Sequence, residues 1–268
     1  MVFFVRLFAV AFLSFPLLFL CGGASGAEIL RYAGATTLQR DFMPEAAHLF
    51  GAVNNVKFDI EGGNSAAGIK ALSAGAIDIA GSGRFLTKEE KASGLVEHSL
   101  GWDSLVVVVH VTNPVENVSK EDLRRMLLGT VVNWNQVGGR DLPVLQVAAP
   151  PGSGVRDAVE NLLLSDQPLS TQAIVSMVVA DADRNVALLP AAFTVTSKSM
   201  VDVDKVKVIK VDGLLPSREN AATYPLVKPL LLVTRGKPEG NLALFIKFAK
   251  GPEGQAIIAK KFFPITYK

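Results

Sequence analysis

Short apolar runs alternate with small-residue helical patterns in the part of the chain that follows residue 27. Runs typical of strands at 29–32, 56–60 and 76–80 each lead into a polar loop that contains glycine, and a helical pattern follows each loop. Regular alternation of strands and helices predicts a parallel sheet with crossover helices, whose ligands bind at the carboxyl ends of the strands. The pattern therefore predicts an α/β fold with a ligand site built from these loops.

The loop after the second strand is the most informative one. It lies in the stretch 60–71, IEGGNSAAGIKA, where Gly62 and Gly63 permit a tight turn and Ser65 is expected to cap the following helix. Free N–H groups and the positive end of the helix dipole suit an anion. An ordinary capped turn with no ligand is the alternative interpretation.

The rest of the chain continues the same alternation. A β-branched run at 102–111 predicts a fully buried strand with Asp103 at its start, and Ser119 is expected to cap a helix over 119–128. A second loop, in which Ser153-Gly154 opens a helix, again offers a hydroxyl and consecutive backbone N–H groups. Further strands are predicted at 143–148 and 225–234, and helices at 242–250 and 254–262.

The N-terminal segment is distinct from the fold. Arg6 precedes an apolar run at 7–20, and small residues follow up to Ala27, which predicts a secretory signal peptide over residues 1–27. Cys21 raises the alternative of a lipoprotein, but bulky residues precede it at 19–20 where small ones are expected. Cleavage after Ala27 would remove the only cysteine, so the mature chain would contain no disulfide.

Composition excludes several classes of function. The chain is 49% hydrophobic and 19% charged with a net charge of +2, which indicates a globular protein and implies no basic surface for nucleic acid. His48, His98 and His110 show no metal-ligand spacing, so we expect no metal and no cofactor. The glycine spacing at 63–68 matches a phosphate loop, but Ile69 stands where lysine is required.

Two charged residues are candidates for the site. Arg84 follows the Gly-Ser-Gly loop at 81–83 and is expected either to clamp an oxyanion with its planar fork or to lie on the surface. Asp103 is expected to accept a hydrogen bond from a protonated oxyanion, to pair with Arg84, or to do both.

Seven motifs in order together resemble the periplasmic phosphate-binding proteins of ABC transporters (Pst type), which are PBP-like proteins. The resemblance covers nearly all of residues 28–265. The motifs are Gly34–Thr37, Glu61–Leu72, Asp78–Arg84, Trp102-Asp103, Asn133–Gly139, Gly152–Gly154 and Tyr224–Leu230.

The resemblance implies an exported, monomeric two-lobed binding protein with a ligand cleft between its lobes. Residues 28–104 plus 224–268 would form lobe 1 and residues 105–223 lobe 2, with hinges near Ser104 and Thr223. Such a protein captures phosphate or a related tetrahedral oxyanion for the membrane permease of an ABC importer, and it is not an enzyme. The implied ligand-binding residues are Thr36, Thr37, Ser65, Arg84, Asp103, Ser153 and Gly154.

The implied roles are specific. Thr36 and Ser65 would donate hydroxyl hydrogen bonds, while Thr37, Ser153 and Gly154 would contribute backbone N–H groups, with the Ser153 hydroxyl in addition. Arg84 would supply the positive charge, and Asp103 would distinguish protonated from unprotonated anions.

Departures from the family pattern leave two other functions open. Gly83 and Val155 stand where the family has serine and threonine, and Ala149 stands where many members have arginine. We therefore expect weaker phosphate binding or a different oxyanion. A secreted sensor or adaptor with a degenerate cleft is one alternative, and an anion-handling hydrolase is another, for which the sequence shows no base or metal cluster.

Overall fold

The computed structural model describes residues 27–165 and 167–265. The predicted signal peptide, apart from Ala27, therefore lies outside the described residues, as does Cys21. The strands are β1 (Glu28–Gly34), β2 (Val56–Ile60), β3 (Ile79–Ser82), β4 (Leu95–His110), β5 (Asn117–Val118), β6 (Leu145–Ala148), β7 (Ile174–Val175), β8 (Ala192–Ser197), β9 (Val206–Val211), β10 (Val227–Arg235) and β11 (Phe263–Pro264). The α-helices are α1 (Thr36–Asp41), α2 (Met43–Asn54), α3 (Ser65–Ser73), α4 (Lys88–Ala92), α5 (Lys120–Leu127), α6 (Gly154–Val159), α7 (Ala182–Leu188), α8 (Gly240–Lys250) and α9 (Pro252–Ile258).

One long strand, β4, connects two sheets. The sheet order is β2-β1-β3-β10-β4-β8-β6-β7, with β9 also pairing with β4. Residues 95–104 of β4 pair with β10, whereas residues 105–110 pair with β8 and β9. We call the elements around β1, β2, β3 and β10 the first lobe and those around β6, β7, β8 and β9 the second lobe.

Each lobe has its own core on both faces of its sheet. Along the second half of β4, Leu105 and Val107 belong to one apolar cluster, and Val106 and Val108 belong to another. Neighbouring side chains of a strand point to opposite faces, so both faces of this strand are covered. This explains its continuous apolar sequence. The predicted α/β fold with two lobes is confirmed.

Several element boundaries differ from the prediction. The helical pattern predicted after the first loop is two helices, α1 and α2, separated at Phe42. Pro44 explains the break, because it lacks an N–H group and its ring excludes a continuous helix through the preceding turn. The strand β4 begins at Leu95 rather than Trp102, since the partly exposed residues 96–99 interrupt its apolar pattern.

None of the described helices has the length and apolar character needed to cross a membrane.

Candidate anion-binding site

A small cavity lies between the loops of the two lobes, and about 20 Å³ within it is open to the centre of a water molecule. This is far below the roughly 300–1,000 Å³ that is typical of sites for drug-sized ligands, so the cavity suits only a small molecule or ion. Its lining residues are Ala35, Thr36, Thr37, Asn64, Ser65, Gly83, Ser153, Gly154, Val155, Val179, Met200 and Lys228. Five of the seven residues predicted for the site therefore lie together.

Ser65 is fully buried in the cavity wall at the start of α3. Its Oγ accepts a hydrogen bond from the Gly83 N–H at 3.0 Å, which leaves the hydroxyl hydrogen available to a ligand. The prediction that Ser65 caps the helix was wrong. Asn64 is the cap, because its side-chain oxygen accepts from the Ala67 N–H at 2.8 Å.

The two threonines lie at the start of α1. The Thr36 hydroxyl donates to the Gly63 carbonyl oxygen at 2.9 Å, so its hydrogen is used to hold the neighbouring loop rather than left for a ligand. Thr37 is buried in the wall of the cavity. The first N–H groups of a helix have no acceptor within the helix, so those of α1 remain available to an anion.

The second lobe contributes the start of α6. Ser153 caps this helix, with Oγ accepting from the Arg156 N–H at 3.2 Å. Gly154 follows, and a Cβ atom on it would lie only 2.6 Å from the Gly83 Cα atom of the first lobe. Glycine is therefore required at position 154 for the two lobes to approach this closely.

Lys228, rather than Arg84, provides the charge in the cavity wall. Its Nζ lies 2.8 Å from Oδ2 of Asp103, in an ion pair that falls outside hydrogen-bond geometry, and the two side chains are 2% and 0% exposed. The pair joins neighbouring positions of β10 and β4. Asp103 also accepts a hydrogen bond at 2.8 Å from the Ser197 hydroxyl of the second lobe.

The predicted role of Arg84 as the oxyanion clamp was wrong in this geometry. Arg84 does not line the cavity, and its guanidinium group donates to both carboxylate oxygens of Glu90 at 2.8 and 2.7 Å. Its Nε lies 3.1 Å from Oδ2 of Asp157. The hydrogen bonds from Arg84 hold the pKa of Glu90 below its usual range. The predicted pairing of Arg84 with Asp103 is replaced by the Lys228–Asp103 pair.

Asp103 was also expected to contact the anion directly, but it is not among the lining residues. It is fully buried and in contact with Nζ of Lys228, so it holds the cation rather than the ligand.

Sequence reasoning passed over Lys228. The signal was present, because a lysine stands inside the otherwise apolar run 225–234. A charged side chain that is nine-tenths buried or more requires a partner of opposite charge or a hydrogen-bonding partner. Functional sites are one place where such buried charged pairs occur. The departures at positions 155 and 149 differ from each other: both residues pack in the core of the second lobe, but only Val155 also lines the cavity.

Residues 22–253 match the family model of the PBP superfamily domain. The chain belongs to this family. Among curated relatives, the phosphate-binding protein PstS of Bacillus subtilis (strain 168) is 26% identical over 249 residues, covering 91% of this chain and 82% of the relative. The phosphate-binding protein PstS of Borreliella burgdorferi is 27% identical over 267 residues, covering 94% of this chain and 95% of the relative.

Solved structures of a putative phosphate ABC transporter substrate-binding protein and of a phosphate transport receptor are similar to this chain. A Clostridium perfringens structure with bound phosphate has a TM-score of 0.83 at 29% identity and covers 89% of this chain and 100% of its own. An ABC-type phosphate transport receptor from Vibrio cholerae has a TM-score of 0.74 at 27% identity, with coverages of 88% and 99%. The family resemblance predicted from the seven motifs is confirmed.

We predict that Lys228→Met destabilises the ligand-free protein. The substitution leaves the Asp103 carboxylate buried without its cation, and breaking a buried pair in this way costs about 3–5 kcal/mol. Urea unfolding in phosphate-free buffer measures the loss. The double variant Lys228→Met/Asp103→Asn should recover part of it, because no buried charge remains.

Lys205→Met is the matched control, since its ion pair with Asp202 lies on the surface. An unfolding midpoint for Lys228→Met equal to that of Lys205→Met would show that the buried pair does not support the fold.

Proposed function

We propose that this protein is an exported solute-binding protein that captures phosphate, or a related tetrahedral oxyanion, between its two lobes and delivers it to the membrane permease of an ABC importer. The observation that carries the proposal is the small cavity, in which both lobes place hydroxyl groups and helix starts around one buried lysine. The relatives named phosphate-binding proteins, and the similar structure with bound phosphate, support the same ligand.

The charge of the cavity wall suits an anion held largely by hydrogen bonds. Lys228 is the one charged side chain among the described lining residues. The Asp103 carboxylate, which does not line the cavity, pairs with it and offsets its charge. An ammonium group has three donors, so Nζ can serve both Asp103 and a bound oxygen. Hydrogen bonds from neutral donors to a charged oxyanion are short and strong in such a site. A ligand with several equivalent oxygen atoms would use these donors best.

We assign the donors as follows. Ser65 and Ser153 donate their hydroxyl hydrogens, because each Oγ already accepts a backbone N–H and keeps its own hydrogen. Thr36, Thr37 and Gly154 offer backbone N–H groups at helix starts. In this assignment Thr36 acts through its backbone, since its hydroxyl is bonded to Gly63.

We also propose the division into lobes over residues 28–104 plus 224–268, and over 105–223. Two hydrogen bonds support a hinge where the chain crosses. The Leu105 N–H donates to the Leu226 carbonyl at 2.8 Å, and the Tyr224 hydroxyl donates to the Leu105 carbonyl at 2.8 Å. The two crossing segments are thus adjacent, as a hinge requires. Export through a signal peptide over residues 1–27, a monomeric state and the absence of enzymatic activity belong to the same proposal.

A sensor or adaptor with a degenerate cleft is the second candidate. Val155 favours it, because an apolar side chain lines the cavity where the family has a hydroxyl. A hydrolase is less well supported, since no metal-binding group of three or more His, Cys, Asp or Glu side chains occurs within residues 27–165 and 167–265. Binding without turnover separates the transport protein from a hydrolase, and absence of binding indicates the sensor.

Titration calorimetry of the purified mature protein with phosphate, arsenate, sulfate and molybdate tests the proposal. We expect phosphate to bind and the protein to leave phosphate esters intact. Native mass spectrometry of the same preparation would show any anion that co-purifies. Binding of none of the four anions by protein shown to be anion-free would contradict the transport function and favour the sensor.

We predict that Ser65→Ala weakens phosphate binding about tenfold to a hundredfold. Loss of a hydrogen bond to a charged partner is worth about 1.5–3 kcal/mol, and each 1.4 kcal/mol is a factor of ten. Calorimetry measures the change. Ser73→Ala is the control, because it removes a serine hydroxyl from the exposed face of the same helix. Equal affinities for the two variants would remove Ser65 from the site.

We predict that Val155→Thr tightens phosphate binding about fivefold to tenfold. The substitution keeps nearly the same shape and adds a hydroxyl donor within the cavity wall, which corresponds to about 1 kcal/mol or more. Val159→Thr is the control, since Val159 lies in the same helix and packs in the same second-lobe core but does not line the cavity. It should lower the melting temperature and leave the phosphate affinity unchanged. No gain from Val155→Thr would mean that its hydroxyl does not reach the anion.

A further inference from the structure

Arg84 connects the two lobes through carboxylates on both sides of the cleft. On the first lobe, its Nη1 and Nη2 atoms donate to Glu90 at 2.8 and 2.7 Å. Its Nε lies 3.1 Å from Oδ2 of Asp157, which belongs to helix α6 of the second lobe. One planar guanidinium group therefore holds a carboxylate from each lobe at the same time.

The two contacts are not equivalent, because Arg84 is fixed to the first lobe. Glu90 also accepts a hydrogen bond from the Thr87 N–H at 2.8 Å and so belongs to the cap of α4. The Ser82 hydroxyl donates to the Arg84 carbonyl at 2.7 Å and accepts from the Arg84 N–H at 3.2 Å. The contact with Asp157 is consequently the part of this network that forms only when the lobes meet.

Asp157 lies one turn of helix beyond the residues that line the cavity. Gly154 of the same helix packs against Gly83, and the Ala66 N–H of the first lobe donates to the Gly152 carbonyl at 3.1 Å. These backbone contacts bring the start of α6 to the cavity, and the Arg84–Asp157 pair holds the following turn.

The surroundings favour a contact stronger than an exposed ion pair. The Arg84 and Asp157 side chains are 17% and 22% exposed, so water screens their attraction only in part. Burial raises the pKa of Asp157, as do the negative charges of Glu160 and Glu90, whereas Arg84 and Arg156 lower it. The attraction to Arg84 thus offsets part of the cost of burying the carboxylate.

We infer that Arg84 and Asp157 form an interlobe bridge that stabilises the closed arrangement and positions α6 against the bound anion without contacting it. The inference rests on the proposed function. A contact made only in the closed arrangement shifts the equilibrium toward it, and a ligand that requires closure then binds more tightly. Arg84 and Asp157 are therefore positioning residues rather than ligands.

The test compares Asp157→Asn with Glu160→Gln. Both variants remove one negative charge from neighbouring positions, but Glu160 pairs with Arg156 within the second lobe. By calorimetry with inorganic phosphate at pH 8, Asp157→Asn should bind about fivefold more weakly, which corresponds to the loss of about one partly buried ion pair, while Glu160→Gln stays within about twofold of the wild type. The melting temperature of the ligand-free protein should be the same for the two variants.

The pH dependence of phosphate binding provides a second measurement, which would not change if Asp157 had a purely structural role. A protonated Asp157 is neutral, as asparagine is, so the ratio of the variant and wild-type Kd values should approach one as the pH falls through the pKa of this carboxyl. Arg84 lowers the pKa of Asp157, so the part of the stabilisation that comes from Arg84 is present above that pKa and lost below it, whereas burial raises the pKa overall and moves this loss to higher pH than for an exposed aspartate. Because both proteins meet the same phosphate species at each pH, titration of the ligand cancels from the ratio.

Arg84→Lys provides a second variant in case Asp157→Asn folds poorly. A lysine keeps the charge but cannot reproduce the fork that meets two carboxylates, so it should weaken phosphate binding to a similar extent. Wild-type affinity in both Asp157→Asn and Arg84→Lys would overturn the bridge, as would equal weakening by Asp157→Asn and Glu160→Gln.

Failure of the proposed function would be recognised separately, because the wild type would then bind no phosphate. In that case small-angle X-ray scattering of the ligand-free proteins decides the inference. A larger radius of gyration for Asp157→Asn than for wild type supports the bridge, and superimposable scattering curves reject it.

Discussion

The buried ion pair between Lys228 and Asp103 is the interaction on which the rest of the site depends. Removing both charges from water is costly, and the cost is tolerated only where each charge has close partners. Asp103 obtains them from Lys228 and from the Ser197 hydroxyl, which comes from the second lobe. A Cβ atom at position 83 would lie 3.0 Å from the Lys228 Nζ, so Gly83 leaves the space that the ammonium group needs. The glycine at position 83, where the family has serine, is therefore consistent with the location of the Lys228 ammonium group.

The fold and the polar part of the cavity could be predicted because both follow from local patterns. Strands that end in glycine loops and continue into helices specify which chain ends meet at one edge of a parallel sheet. Ser65, Ser153 and Gly154 were predicted from this pattern, Thr37 was predicted from the family resemblance, and all four line one cavity. Whether they bind phosphate remains a prediction that the proposed titrations test.

The position of the cation could not be predicted in the same way. Arg84 follows a glycine loop at a strand end, which is the local signal of an anion clamp, but Glu90 and Asp157 occupy its donors. Lys228 carries no local signal apart from its place in an apolar strand, and its partner Asp103 lies on a strand that is distant in the sequence. Whether Arg84 or Lys228 lies in the cavity wall depends on the residues that each side chain contacts in the folded protein. The end of the first helix is a different case, because the break at Phe42 follows from Pro44, a local signal that the predicted helical pattern did not take into account.

The continuity of β4 has a mechanical consequence for any opening of the cleft. This strand runs through both sheets, and its neighbour at the crossing is the segment around Leu226, to which Leu105 is hydrogen bonded. If the lobes open by bending at the crossing, the β4 segment at Leu105 and the segment around Leu226 bend together, and the hydrogen bonds between them are kept. Twisting one lobe against the other would instead shear the ladder and break those bonds. The chain connectivity therefore favours bending over twisting as the motion that opens the cleft.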